Sequence, residues 1–224
     1  MIGLRILKRE RAVALELAER FRAVPVANVS DCMSRMSAGG ARLRPMHAGG
    51  YMAGPALTVK VRPGDNLLVH KALQMAVAGD VIVVDAGGDL TNAIIGEIMV
   101  GDAVRQKLGG MVIDGAVRDA HAIRSGSFPV FAAGVTHRGP YKDGPGEINV
   151  PISIDGMVIF PGDLIVGDDD GVLCVPFDHA ETLLAAGIQK GLAETKMIAE
   201  RANGNYDASW IEATLKRIGW AAEP

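Results

Sequence analysis

Apolar residues set the reading of this chain through two uninterrupted runs near its middle. Val81 to Val84 is continuous and β-branched and stops at Asp85; Met111 to Ile113 is a second run that stops at Asp114, with Gly87-Gly88 shortly after the first acid and Gly115 directly after the second. Runs of this kind suit strands buried on both faces. Between them Ile94, Ile95, Ile98, Met99, Ala103, Val104 and Leu108 recur at near-helical spacing, which predicts a helix over Ala93 to Leu108 with Gly109-Gly110 as its stop. The unit reads as strand, glycine turn, helix, strand.

Upstream, residues 7 to 23 place Val13, Leu15, Leu17, Ala18 and Phe21 on one helical face, and Pro25 ends that helix. Asn28 and Ser30 are expected to cap a short helix running into Cys32 to Met36. Ala38 to Pro55 is rich in Gly, Arg and Pro without a period and reads as a connecting loop. Ala56 to Val61 alternates as a strand, and Asn66 to Ala76 follows as a helix containing His70. Downstream, 120 to 125 fits a short helix and Phe128 to Ala132 a strand. The runs INVPISI, MVIF, LIVG and VLCVP then read as hairpin strands separated by Asp155-Gly156, Pro161-Gly162-Asp163 and Asp168 to Gly171. His179 to Ala202 is a long helix, and Trp210 to Trp220 a terminal one.

Strand and helix alternation followed by hairpins predicts a mixed α/β sandwich in one domain spanning residues 1–224, with flanking N- and C-terminal helices. Neither GxGxxG nor a P-loop occurs, so a Rossmann fold and a methyltransferase lose their support. With 49% hydrophobic and 22% charged residues and a formal net charge of −3, the composition is that of a soluble globular protein without a polyanion-binding surface. Nucleic acid and membrane are therefore not expected as partners. Cys32 and Cys174 are too few for a disulfide framework, and MIGLRILKRERAV is too charged for a signal sequence. Free thiols and a cytoplasmic location are expected.

The candidate chemistry lies in the central unit, because the carboxyl ends of its strands and the amino end of its helix face one crevice. Free N–H groups at a helix start favour an anion. Gly87, Gly88 and Gly96 leave backbone open to a carboxylate, Glu97 follows Gly96, and Arg118-Asp119 places a planar cation beside a hard oxygen ligand. His70, alone on its helix, is expected to pack or cap. The acidic run Asp168 to Asp170 lacks the later ligands of a calcium loop and is expected to be a turn.

The run GEIMVGDAVRQKLGGMVIDGAVRDAHAIRSGSFPVFAAG, with twenty residues between Glu97 and Arg118, continues in its likeness through EINVPISIDGMVIFPGDLIVGDDDGVLCVP. Over roughly residues 25 to 200 the chain resembles the RraA-like family, which holds class II pyruvate aldolases that split 4-hydroxy-4-methyl-2-oxoglutarate and also the regulator of ribonuclease E activity A. Glu97 stands where described aldolases carry an aspartate. The resemblance implies the swivelling β/β/α fold, assembled as trimers or as hexamers with sites between subunits.

It also implies a divalent-metal-dependent cleavage of a 4-hydroxy-2-oxo acid substrate to pyruvate, with oxaloacetate decarboxylation as a side activity through the same pyruvate enolate. Asp119 is then the direct protein ligand of Mg²⁺ or Mn²⁺, and Arg118 hydrogen-bonds the developing enolate oxygen. Glu97 orients a water, the backbone N–H groups of Gly96, Glu97, Ile98 and Met99 hold the substrate carboxylate, and Glu194 is the candidate for an acid supplied by a neighbouring subunit's C-terminal helix. The alternative is a non-catalytic regulator of ribonuclease activity acting by protein contact, since one fold hosts both roles.

Overall fold

Four parallel strands carry the centre of the computed structural model, which describes residues 2–36, 39 and 41–220. The chain opens with β1 (Leu4–Ile6), α1 (Leu15–Phe21), α2 (Val26–Cys32) and the two-residue β2 (Arg44–Pro45). It then alternates β3 (Met52–Val61), α3 (Leu67–Met75), β4 (Val81–Asp85), β5 (Ala93–Ile95), α4 (Glu97–Arg105), β6 (Gly110–Val117), α5 (Ala120–Arg124) and β7 (Val130–Val135). Five short strands follow, β8 (Gly146–Ile148), β9 (Ile152–Ile154), β10 (Met157–Ile159), β11 (Leu164–Asp168) and β12 (Gly171–Val175), before α6 (Ala180–Ala202) and α7 (Ser209–Arg217).

Strands β3, β4, β6 and β7 lie parallel in that order. β8 flanks β3 antiparallel with β1 beyond it, and β2 flanks β7 antiparallel. The long β3 belongs to two sheets. Met52 to Pro55 pair with β11, while Ala56 to Lys60 pair with β4. Glycine at 54 permits the crossing, because a Cβ there would collide with the Gly79 carbonyl.

Side-chain alternation divides the core into layers. Ile82, Val84, Met111 and Ile113 face α3, α4 and α5 through Leu68, Val69, Met99 and Ile123. Val81, Val83, Val112 and Phe131 face the opposite way, onto Ile152, Ile154, Met157 and Cys174 of the hairpins. The far side of β11 and β12 is covered by α1, α2 and α6 through Phe21, Val29 and Leu184. The expected α/β sandwich of one domain is what forms, and the unbroken apolar runs are strands buried on both faces.

Several predicted boundaries move. The helix expected over 7–23 begins only at Leu15. Residues 7–13 instead run extended across the molecule, with Arg9 paired to buried Asp80 at 2.8 Å and Arg11 stacked 4.6 Å over Phe177. Asn28 and Ser30 lie inside α2, whose first N–H, from Val26, is capped by Asp168 Oδ2 at 2.9 Å. The turn expected at Asp168 to Gly171 forms, with the Asp170 N–H donating to Asp168 Oδ1 at 3.0 Å. The loop expected over 38–55 contains β2 and the start of β3; its Ala38 and Gly40 lie outside the described residues. Ala93 to Ile95 is a strand paired to Ala116 and Val117, so the helix predicted from Ala93 starts at Glu97. Pairing with a buried neighbour outweighs helical spacing there. Ile98 and Val104, placed by that spacing on the inner face, are 73% and 50% exposed. Both cysteines are free, and no helix among the described residues is long and apolar enough to cross a membrane.

The segment after β7 is pinned by a buried carboxylate. Asp65 accepts the N–H groups of Asp143 and Gly144 at 2.8 Å each, that of Leu67 at 3.0 Å, and the Arg62 guanidinium at 3.1 Å. The Tyr141 N–H donates to the Gly64 carbonyl at 2.8 Å, and the Asn66 N–H to the Tyr141 carbonyl at 3.0 Å. Asp65→Ala strands these donors and should cost about 3 kcal/mol of stability, since each buried unpaired group carries its own desolvation penalty. Urea unfolding checks this: an unchanged midpoint would show that the carboxylate does not hold the segment.

Candidate active site

Strand β6 stays buried to Val117 because β4 and β7 flank it and β5 takes over beside its last residues. Arg118 and Asp119 therefore emerge together at its carboxyl end. The Arg118 N–H donates to the Ile95 carbonyl at 3.0 Å. Asp119 turns left-handed, at φ +55° and ψ +38°, a conformation aspartate tolerates better than most residues and one that clusters at functional sites. Its Oδ2 accepts the N–H of Glu97, the first residue of α4, at 3.1 Å and lies 3.7 Å from Arg118 Nε.

These groups line a cleft of about 330 Å³ between the starts of α3 and α4 and the pinned segment, with Asn66, His70, Gly96 and Lys142 on its walls. Glycine at 96 is required by close approach, since a Cβ would overlap Asp119 Oδ2 and lie 3.0 Å from Arg118 Cγ. Among the described residues no acceptor meets the N–H groups of Ile98 and Met99, which remain available at the positive end of α4. Burial holds the His70 imidazole below its ordinary range, and the neighbouring Lys142 charge adds to this. His70 is thus a neutral wall of the cleft, where packing or capping was expected.

Of the expected site residues, Gly96, Ile98, Met99, Arg118 and Asp119 are brought together here. Glu97 contributes its N–H to Asp119, while the residue itself is exposed and does not line the cleft. Glu194 lies elsewhere in the chain, on α6, where Lys190 Nζ joins it at 3.1 Å and Asp31 at 2.9 Å. Gly87 and Gly88 do not open onto the cleft: a Cβ at Gly88 would press on the Arg42 guanidinium at 3.1 Å. That guanidinium clamps Asp114 in a fork, with Nε at 2.9 Å and Nη2 at 3.1 Å. Burial, aided by the nearby Asp85 and Asp155 charges, holds the Asp114 carboxyl above its ordinary range despite Arg42. Sequence reasoning missed Asn66, His70 and Lys142, because only folding carries them beside β6.

Among the described residues no group of three His, Cys, Asp or Glu side chains could cage a metal. The donor set still fits one kind of ion. Asp119 is partly exposed, has one oxygen held toward the backbone, and faces a cleft wide enough for water and substrate. A single carboxylate with the remaining positions filled by water and ligand suits Mg²⁺, which dehydrates reluctantly, and suits Mn²⁺ in the same way. Asp119 would hold it.

Comparison with known proteins places this geometry in context. Residues 26–174 match the family model described as RraA-like, Aldolase/RraA. A protein of Halalkalibacterium halodurans whose name assigns it provisionally to 4-hydroxy-4-methyl-2-oxoglutarate aldolase is 42% identical over 176 residues, covering 79% of this chain and 84% of that one. The 4-hydroxy-4-methyl-2-oxoglutarate aldolase of Thermus thermophilus is 36% identical over 124 residues, 55% of this chain and 75% of that one. The solved structure of the RNA-processing inhibitor RraA from Thermus superposes with a TM-score of 0.63 at 31% identity, covering 68% of this chain and 92% of that one.

Gly96→Ala tests the packing of the site directly. The added methyl group should displace the Asp119 carboxylate and weaken Mn²⁺ binding, read by calorimetry, roughly 10-fold or more, as removal of a ligand's support usually does. Far-UV circular dichroism should be unchanged. Unaltered Mn²⁺ affinity would show that Asp119 is not the ligand.

Proposed function

Because this chain belongs to the RraA-like family, we propose that its cleft cleaves 4-hydroxy-4-methyl-2-oxoglutarate, or a related 4-hydroxy-2-oxo acid, to pyruvate as a class II aldolase. The observation that carries this is the junction of Arg118, Asp119 and the open start of α4 around Gly96. A divalent ion on Asp119 would supply Lewis acidity at the 2-oxo group and its neighbouring carboxylate.

The chain's own groups do the rest. Retro-aldol cleavage breaks the C3–C4 bond, leaves the electron pair on the pyruvyl fragment as its enolate, and takes the proton from the C4 hydroxyl. Arg118 is suited to the oxygen on which that charge develops, because among the described residues its only carboxylate contact is the loose one at 3.7 Å, which leaves its planar fork to turn to substrate. Gly139, whose added Cβ would lie 3.3 Å from Arg118 Nη1, keeps the far side of the guanidinium close to backbone. The N–H groups of Ile98 and Met99 would hold the carboxylate beside the 2-oxo group. Glu97 is the candidate to orient water, and Glu194 the candidate acid from a neighbouring subunit. Oxaloacetate, which reaches the same enolate by losing CO₂, should serve as a second substrate.

A trimer or hexamer is part of this proposal. Its support is the surface of α6, α7 and the residues just after α7, where Leu192, Ile198, Trp210 and Trp220 are each more than half exposed. The likeness to the RNA-processing inhibitor favours a second reading, a non-catalytic regulator that acts by protein contact.

Pyruvate release from both substrates, with and without Mg²⁺ or Mn²⁺, separates the two readings. Activity should vanish with chelator and return with metal; turnover untouched by chelator overturns the class II mechanism, and its complete absence favours the regulator. Arg118→Lys should lower kcat by roughly 100-fold or more at near-normal Mn²⁺ affinity, because the lost contact belongs to the transition state. Asp119→Ala should instead lose Mn²⁺ affinity. Near-normal turnover of the first variant, or near-normal metal binding by the second, contradicts the roles assigned.

A further inference from the structure

We infer that Lys142 is the specificity-determining residue for the distal carboxylate of the substrate, the one attached to C4, and holds it while the C3–C4 bond breaks. The inference deepens the aldolase reading of the cleft and rests on it.

The charges around the cleft lead to this assignment. Its lining holds two cations, Arg118 and Lys142, one carboxylate, Asp119, and one imidazole, His70. Asp119 accepts the α4 amide and would hold the metal, and His70 is kept neutral by burial and by Lys142 itself. The ion-paired lysines among the described residues are Lys60, Lys190 and Lys196, so Lys142 carries its charge into the cleft without a protein carboxylate. A 4-hydroxy-4-methyl-2-oxoglutarate molecule brings two carboxylates. The one beside the 2-oxo group belongs with Arg118, Asp119 and the α4 amides, at the reacting end. The other needs a cation on a different wall, and Lys142 is the one the cleft supplies.

The backbone under Lys142 is unusually well fixed for a residue of a long connection. The Tyr141 N–H and C=O are both bonded to the 64–66 turn, and the N–H groups of Asp143 and Gly144 are held by buried Asp65. A flexible ammonium on a fixed base suits a carboxylate whose orientation changes during reaction, since it acts as a compact point charge and needs no bidentate alignment. When C4 becomes a carbonyl and its hydroxyl proton leaves, the departing fragment is itself a 2-oxo acid. Its carboxylate is the one on Lys142 throughout.

The test pairs two substrates with two proteins. 4-Hydroxy-4-methyl-2-oxoglutarate has the C4 carboxylate; 4-hydroxy-2-oxopentanoate undergoes the same bond cleavage without it. Lys142→Gln, a change at an exposed position that leaves the Asp65 contacts in place, should lower kcat/KM for the first roughly 30-fold, mainly through KM, as expected for loss of a binding contact shared by ground and transition states. The second substrate should change by less than about 3-fold. Lys142→Arg should recover most of the first activity. Equal losses on both substrates, or none on either, overturn the assignment while leaving the aldolase reading standing. Failure of the unaltered protein to release pyruvate from either substrate overturns that reading and this inference together.

Discussion

Strand β3 must find hydrogen-bond partners in two sheets, and the arrangement of the other layers follows from how it does so. Its first four residues pair with β11 and the rest with β4 and β8, so the hairpin half of the chain is drawn across one face of the parallel sheet. Buried backbone N–H and C=O groups have to be paired, and a ten-residue strand crossing the core leaves many to satisfy. With hairpins on one face and α3 to α5 on the other, the faces of β4 and β6 are closed to solvent. Access remains at the ends of the strands, and the cleft lies at one of them.

The same residue types do two different jobs at that end of the sheet. Asp114 and Asp119 are five positions apart, and each stands near an arginine, but the side chain of Asp114 is 2% exposed and that of Asp119 is 37% exposed. Asp114 is held by Arg42 in a bidentate fork, an arrangement that neutralises a buried carboxylate and leaves nothing for a ligand. Asp119 has its arginine at 3.7 Å and a left-handed backbone that turns its carboxylate to the start of α4. Loose pairing leaves Arg118 and Asp119 open to the cleft.

Much of the fold was legible because the signal was strong and local. Val81 to Val84 could hardly be anything other than a buried strand, and the ISI of INVPISI with MVIF, and LIVG with VLCVP, form the expected hairpins, although Ile148 at the start of INVPISI ends β8, which pairs with β3 and β1 instead. Boundaries failed where a distant partner competed with local periodicity. Ala93 to Ile95 had helical spacing, yet β6 offered open ladder positions, and residues 7–13 had a helical face, yet Asp80 and Phe177 captured their arginines. Neither partner is visible from the segment it captures.

The sequence by itself determined that Arg118 and Asp119 follow a buried strand and that glycine precedes Glu97, because composition and order alone carry those features. Only the tertiary structure decided that Asp119 reaches the Glu97 amide, that Glu97 is exposed while His70 and Lys142 wall the cleft, and that Asp114 belongs to Arg42. The reason is distance along the chain. Asn66, Ile98, Asp119 and Lys142 come from four separate elements or connections, and no periodicity relates residues whose proximity is set by the order of strands in a sheet and by a carboxylate buried under a loop.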